Sequence, residues 1–438
     1  MWCVALLFAL VCAVFLDTAS AEWPDDALAS PDLVITLVRH GDRTPRTPLS
    51  SDVDPAPWPT GVRSQGVLTP IGMEQHLELG GKYRQWLVED TDMLQPDYDF
   101  TQVSVRSTGT YRTVDSALSF MQGLYPSGPL PPTDDAEGAE TETGMTGVMQ
   151  PLPVHSVYKL TDPLLRPYDC CPLASSYMES LADTPAVKQS DIDNAALFDR
   201  MGSVLGLPGL STMSINEAAD PLMCDYLHYA GTEYALPPGV TEEDYQGMVA
   251  VYTMMVGLKY PQSSAPYETD IDASLVASLL GGNVLQYYID AIETQLSMDG
   301  DDAVQPAFQL LSAHDSTLVG VLGSLDQYTA IQPPYASHLD LALSGDVVRM
   351  SLNGVAFSPF GLSCTDCPVD RWLEEAQKVI VSDWDSSCAL PTDSYEWVVY
   401  TLSSLVLVLA GVAMGLAYAS LRRKSKSKSV YRPLDSPS

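Results

Sequence analysis

The chain has 438 residues and a formal charge of −34 at pH 7, with 46% hydrophobic and 18% charged residues. This length provides core for two or three domains, and the high hydrophobicity with low charge excludes an intrinsically disordered protein. The acidic balance also excludes a general nucleic-acid binder, which needs a basic surface. A body this acidic repels anionic ligands unless a local cluster of arginines attracts them.

Both ends of the chain carry apolar segments that predict targeting to a membrane. Residues 4–16 are apolar and precede Ala19-Ser20-Ala21, a small-residue pattern typical of signal-peptide cleavage. Residues 397–421 are uncharged, and as a helix they would extend about 37 Å, enough to span a bilayer. Basic residues follow this segment and acidic residues precede it, which predicts a single-pass type I protein with a lumenal or extracellular body.

The last residues, 422–438, form the predicted cytoplasmic tail. Its basic run suits anionic lipid headgroups. Tyr431-Arg432-Pro433-Leu434 resembles the sorting signals, with Tyr431 and Leu434 as key residues, that endocytic adaptors bind. We therefore expect the protein in the lysosomal membrane or at the cell surface.

The body of the chain alternates between short apolar runs and helix-like segments. In chain order we expect a strand at 33–38, a helix at 73–88, a strand at 102–105, a helix at 113–123, an irregular acidic loop at 126–150, mostly helices up to about 265, a helix at 281–295, a strand at 308–313 and a helix at 316–325. This alternation predicts an α/β fold with a doubly wound, mainly parallel sheet covered by helices on both faces. A smaller, mainly helical cap would be inserted between the two halves of the sheet.

The predicted domain organisation follows from these segments. It comprises a signal peptide (1–21), the first half of the α/β core (22–125), the helical cap (126–269), the second half of the core (270–394), the transmembrane helix (397–421) and the tail (422–438).

Six cysteines remain after removal of the signal peptide, which is consistent with disulfides in an oxidising compartment. Six cysteines allow fifteen pairings. Proximity favours Cys364–Cys367. These two have the spacing of metal ligands, but no second pair or nearby histidine completes a zinc site, so we expect no metal and no cofactor.

Arginine, histidine and aspartate side chains follow three of the predicted strands. They are Arg39, His40 and Arg43 after the first strand, Arg106 after the second, and His314 and Asp315 after the strand at 308–313. Ligands of open parallel sheets bind beyond the carboxyl ends of the strands, so these residues are expected at one edge. Because guanidinium groups bind phosphate oxygens in pairs, three arginines there predict an anionic, phosphate-bearing substrate.

These segments resemble the histidine acid phosphatase family. The resemblance rests on Arg39-His40-Gly41-Asp42-Arg43-Thr44-Pro45 and Ser312-Ala313-His314-Asp315, together with segments 68–77, 106–108, 150–155 and 333–338. It implies hydrolysis of phosphate monoesters at acidic pH, a Cys171–Cys388 disulfide and a possible homodimer. Two family positions differ: Gly109 stands where an aspartate is usual, and Tyr111 replaces another acidic residue. A family cysteine between Ser337 and His338 is also missing, which leaves Cys170–Cys224 as the remaining pair by elimination.

The chemistry of these side chains predicts a mechanism. A neutral His40 can attack phosphorus and form a phosphohistidine. Arg39, Arg43, Arg106 and His314 would hold the phosphate oxygens, and Asp315 would protonate the leaving alcohol. Two alternatives stay open at this point: an inositol-polyphosphate phosphatase of the same superfamily, and a catalytically inactive, membrane-anchored recognition module.

Overall fold

A computed structural model describes residues 31–59, 65–126, 152–263, 269–298, 305–328, 332–390, 403–414 and 416. Its central element is an eight-stranded sheet with strand order β3-β2-β4-β1-β5-β6-β7, and β8 pairs with β6. The strands are β1 (Leu33–Arg39), β2 (Val103–Thr108), β3 (His155–Val157), β4 (Phe308–Ala313), β5 (His338–Ser344), β6 (Val347–Leu352), β7 (Val355–Phe357) and β8 (Asp366–Pro368).

The sheet is mixed, which corrects the expectation of a mainly parallel sheet. Strands β3, β2, β4 and β1 are parallel neighbours, whereas β5 to β8 pair antiparallel. The reason lies in the connections. Two-residue turns join β5 to β6 and β6 to β7, the second at Asn353-Gly354, where both residues have positive φ. Such turns reverse the chain and force antiparallel pairing, whereas the parallel strands follow longer crossovers.

Helices cover both faces of the sheet. They are α1 (Pro70–Arg84), α2 (Tyr111–Leu124), α3 (Pro167–Cys170), α4 (Pro172–Ser180), α5 (Pro185–Asp193), α6 (Ala195–Val204), α7 (Asn216–His228), α8 (Glu242–Lys259), α9 (Ala273–Ser297), α10 (Asp315–Ser324), α11 (Val369–Ala376) and α12 (Trp384–Cys388). On one face, Val34 and Val38 pack in a core with residues of α1 and α2. The alternate β1 residues Leu33, Ile35 and Leu37 are fully buried, and α9 and α10 contact this strand.

Helices α3 to α8 form a mainly helical stretch between β3 and β4. Strand β3 pairs with β2 in the central sheet, although it falls inside the range 126–269 expected for the cap. Core and helical stretch belong to one compact unit that ends at Cys388.

Two disulfides close this unit. Cys171–Cys388 and Cys364–Cys367 are both present, as expected. The pair Cys170–Cys224 is wrong, because both thiols are free. Cys170 contacts the backbone oxygens of its own helical turn, whereas Cys224 lies against Arg43.

The predicted signal peptide, the acidic loop at 127–150 and the cytoplasmic tail lie outside the described residues. Of the predicted span 397–421, residues 403–414 and 416 are described and helical, and their apolar side chains are exposed. Among the described residues, none of the helices combines the length and apolar character needed to cross a bilayer.

Candidate active site

The site is built where β1 ends, next to the end of its parallel neighbour β4. His40 follows β1 directly, and its backbone N–H donates to the carbonyl of Ala313, the last residue of β4. The next turn packs tightly on the start of α1. A Cβ on Gly41 would lie only 2.4 Å from the carbonyl oxygen of Gly72, so only glycine fits this approach.

The geometry fixes the proton position on His40. Its Nδ1 lies 2.8 Å from the carbonyl oxygen of Gly41, and a carbonyl can only accept, so Nδ1 carries the proton. Burial, followed by the charges of Arg112, Arg39 and Arg43, holds the pKa of His40 well below its usual value. The lowered pKa favours the neutral imidazole, whose Nε2 then carries a free lone pair.

Arg112 and His314 form the second part of the site. The Arg112 guanidinium donates from Nη2 to Nδ1 of His314 at 3.2 Å, which leaves the proton of a neutral His314 on Nε2. That Nε2 is buried and has no partner among the described residues. His314 lies close to His40, with ring centroids 5.6 Å apart. An unpaired buried N–H donor beside His40 suits an incoming acceptor oxygen.

Arg112 itself is a half-buried cation, and no carboxylate among the described residues forms an ion pair with it. Its hydrogen bonds go to His314 and to the carbonyl of Gly66, and its Nε has no partner among the described residues. Burial and the charges of Arg43, Arg166 and Arg46 lower the pKa of Arg112 to about 9. A cation in this environment gains stability from a bound anion.

Arg43 is held in place by two residues of helix α7. Its Nη2 donates to Oδ1 of Asp220 at 2.6 Å, and its Nη1 lies 3.3 Å from the free thiol of Cys224. Asp220 also contacts Arg46 at 3.1 Å. One carboxylate therefore faces two guanidinium groups, so positive charge remains in excess here.

Asp315 begins α10 next to these cations. Its Oδ2 lies 3.3 Å from Nη2 of Arg39 and accepts from Nε2 of Gln332 at 2.6 Å. Burial opposes ionisation, but Arg39, Arg46 and Arg43 outweigh it and lower the pKa of Asp315. The free site thus holds an oriented carboxylate.

Arg39 does not line the cleft around His40. Its guanidinium hydrogen-bonds the carbonyl of Pro333, contacts Asp315 and lies 4.3 Å above the Tyr335 ring. Arg39 therefore orients Asp315 from behind and contributes positive charge to His40.

The structure does not bring Arg106 into the cleft, contrary to our expectation. Strand β2 continues to Thr108, three residues beyond the predicted end, so Arg106 lies within the strand. Its Nη2 pairs with buried Asp162 at 2.7 Å. The arginine that reaches the carboxyl edge is Arg112, in the first turn of α2. The sequence feature that points to Arg112 is the start of the helix that follows β2, at Thr110 to Thr113.

The two departures from the family pattern have simple structural settings. Gly109 lies against β3, where a Cβ would come within 2.7 Å of the carbonyl oxygen of Val157. Tyr111 is 81% exposed. Neither residue lines the cleft.

The cleft has a volume of about 240 Å³ and is lined by His40, Arg43, Arg112, His314 and Asp315, together with Arg46, Arg166 and Lys259. A neutral histidine faces several cations and one oriented carboxylate. This arrangement can bind a tetrahedral anion, offer a nucleophile to its central atom and supply a proton to the departing group.

Comparison with known proteins agrees with this geometry. Residues 32–351 match the family described as histidine phosphatase superfamily (branch 2). The chain is 29% identical to lysosomal acid phosphatase of Rattus norvegicus, over 82% of this chain and 81% of the relative. It is also 29% identical to prostatic acid phosphatase of Homo sapiens, over 85% and 92%.

Solved structures share the fold. The phytase of Klebsiella sp. ASR1 superposes with a TM-score of 0.57 at 14% identity, covering 83% of this chain and 99% of that one. A Hafnia alvei phytase in complex with tartrate gives a TM-score of 0.55 at 16% identity, covering 83% and 100%. Since the family match spans most of the chain, this protein belongs to the histidine phosphatase superfamily, branch 2.

Proposed function

We propose that this protein is an acid phosphatase that hydrolyses phosphate monoesters through a phosphohistidine at His40. The observation that carries the proposal is a buried, neutral His40 with a free Nε2, facing Arg43, Arg112 and His314 in one cleft. Phosphoryl transfer needs mainly positioning and charge stabilisation, which this set of side chains supplies.

In the first step, Nε2 of His40 attacks phosphorus, the N–P bond forms and the bond to the ester oxygen breaks. Arg43, Arg112 and the Nε2–H of His314 hold the non-bridging oxygens. Asp315 gives a proton to the departing alkoxide. Asp315 is ionised in the free site because of the arginines, and a bound phosphate offsets their field, so its pKa rises when substrate binds.

In the second step, water attacks the phosphohistidine and passes a proton to the Asp315 carboxylate. The N–P bond breaks, and inorganic phosphate leaves. Acidic pH favours the protonated acid of the first step, and the lowered pKa of His40 limits protonation of the nucleophile under the same conditions. We therefore expect an acidic optimum.

Two leaving groups separate the roles of these residues. The full-length chain is assayed with p-nitrophenyl phosphate and with glycerol 2-phosphate from pH 3.5 to 8, with Asp315→Asn, His40→Ala and the exposed His155→Ala as control. We expect His40→Ala to abolish turnover of both esters. Asp315→Asn should slow the alkyl ester by about 10²–10⁴-fold and the nitrophenyl ester much less, because nitrophenolate leaves without a proton.

A base-stable, acid-labile phosphoenzyme should appear in the wild type during turnover and be missing in His40→Ala. If the folded protein turned over neither ester at any pH, the proposal would fail. An inactive recognition module would then explain the chain better.

We propose further that the protein is anchored by the segment 397–421 and sorted to lysosomes or the cell surface. Exposed apolar side chains at 403–414 support this, as does the lysosomal acid phosphatase relative. We expect the full-length protein to stay in the membrane pellet after alkaline carbonate extraction. Deletion of 397–438 should release it into the supernatant. Release of the full chain by carbonate would refute the anchor.

A further inference from the structure

The cleft is lined by more side chains than the proposed mechanism uses. Its outer wall is apolar and aromatic and comes from α3, α4, α8 and the residues next to them; it includes Tyr168, Met178, Ile215, Tyr252, Met255 and Tyr260. This wall suits the organic part of an ester. Three cations that the proposed mechanism does not use also line the cleft. Arg166 is paired with Asp169, which leaves Arg46 and Lys259.

Arg46 is held in place by α7. Its backbone N–H and its Nε both contact the Asp220 carboxylate, and its Nη2 donates to Oδ1 of Asn216 at 2.8 Å. The side chain is 46% exposed, so the guanidinium is oriented yet open to solvent. Because Arg43 uses the same carboxylate, Asp220 neutralises only one of the two arginines.

Lys259 is the last residue of α8 and lines the same cleft. It forms no hydrogen bond or ion pair within the part of the chain that the structure describes. Burial and the charge of Arg46 lower its pKa. A half-buried ammonium group that is repelled by a neighbouring guanidinium is relieved by an anion placed between them.

The balance of charge in the cleft also favours the binding of more than one anionic group. The cleft and its immediate supports contain six cations, Arg39, Arg43, Arg46, Arg112, Arg166 and Lys259, against three carboxylates, Asp169, Asp220 and Asp315. In acid a phosphate monoester carries little more than one negative charge, since the second pKa of phosphate is about 6. One phosphate group therefore leaves this excess of positive charge largely uncompensated.

We infer that Arg46 and Lys259 form a second anion subsite, which selects phosphate monoesters carrying a further phosphate or carboxylate group. This inference rests on the proposed phosphatase function and names its substrate class. The first anionic group occupies the position at His40. The second lies at the Arg46–Lys259 pair, with the organic spacer along the aromatic wall.

The test uses matched esters that differ only in the second group. Alkane-α,ω-diol bisphosphates of two to six carbons are compared with the corresponding diol monophosphates at pH 5, using the full-length protein. After correction for two equivalent phosphates, one spacer length should show kcat/KM at least tenfold higher for the bisphosphate. Lys259→Met should lower that ratio about tenfold, the equivalent of about 1.4 kcal/mol, and Lys259→Arg should preserve it.

Lys188→Met is the matched control, because Lys188 is an exposed lysine paired with Asp183 outside the cleft. It removes the same charge and should leave the ratio unchanged. Equal kcat/KM for both series at every spacer length, or an equal loss in Lys188→Met and Lys259→Met, would overturn the subsite while leaving the phosphatase intact. If neither series is hydrolysed, the phosphatase proposal fails and the subsite falls with it.

Discussion

Replacing Arg112 or Arg106 by methionine should produce opposite effects on activity and stability. Arg112 is a half-buried cation whose pKa is lowered by burial and by neighbouring arginines, so Arg112→Met should leave the melting temperature unchanged or raise it. A cation about 4 Å from a phosphate oxygen contributes about 4 kcal/mol at an effective dielectric constant of 20. Loss of a single donor to a transition-state oxygen typically costs about 10²–10³-fold in kcat. We therefore expect turnover of p-nitrophenyl phosphate to fall by about 10³-fold.

Arg106→Met removes the partner of Asp162, whose side chain is fully buried. Leaving that carboxylate unpaired should cost about 2 kcal/mol of stability, while kcat stays within about threefold of the wild type. The measurement is kcat at pH 5 together with thermal unfolding of the three proteins. A large loss of kcat in Arg106→Met with Arg112→Met active would refute our assignment of the phosphate-binding arginine.

Two further predictions concern stability and the departure from the family pattern. Burial and the nearby Asp54 raise the pKa of Asp225 to about 8, so the folded state binds this proton more tightly than the unfolded state. The resulting stability is fully present below about pH 4 and is lost as pH rises towards 8, at most about 1.4 kcal/mol per pH unit. The free energy of unfolding, measured with urea at pH 5 and 7.5, should depend less on pH in Asp225→Asn than in the wild type. An identical pH dependence of the two proteins would contradict this prediction. Gly109→Asp, which restores the family residue, should lower the melting temperature without raising kcat, because its Cβ would collide with the backbone of β3; higher activity would show that Gly109 impairs the site.

The parts of the site that the sequence predicted correctly in position are those that directly follow a buried strand. His40 follows β1, and His314 and Asp315 follow β4, both strands being mostly apolar and buried along their whole length. Strand β2 ends in Ser107 and Thr108, which are polar but fully buried. A prediction based on hydropathy therefore ends this strand too early and assigns Arg106 to the site. The carboxyl end of β2 in fact lies next to Arg112.

The antiparallel half of the sheet could have been predicted from turn residues, which a hydropathy pattern does not reveal. Asn353-Gly354 is a typical two-residue hairpin turn, and it predicts the reversal between β6 and β7 more directly than the apolar pattern. The Cys170–Cys224 pair failed for a different reason. Elimination assumes that every cysteine in an oxidising compartment is paired, whereas a buried thiol such as Cys224 is stable as a small apolar side chain.

The acidic surface and the basic cleft act over different distances. At physiological ionic strength, charges more than about 8 Å apart in solvent are largely screened, so most of the 56 acidic residues contribute little at the cleft. Buried charges are screened much less, and Arg39 and Arg43 are almost fully buried. The field at His40 is therefore set by the few side chains that contact the cleft. A chain with a net charge of −34 can bind an anion because these cations lie where water and salt do not weaken them.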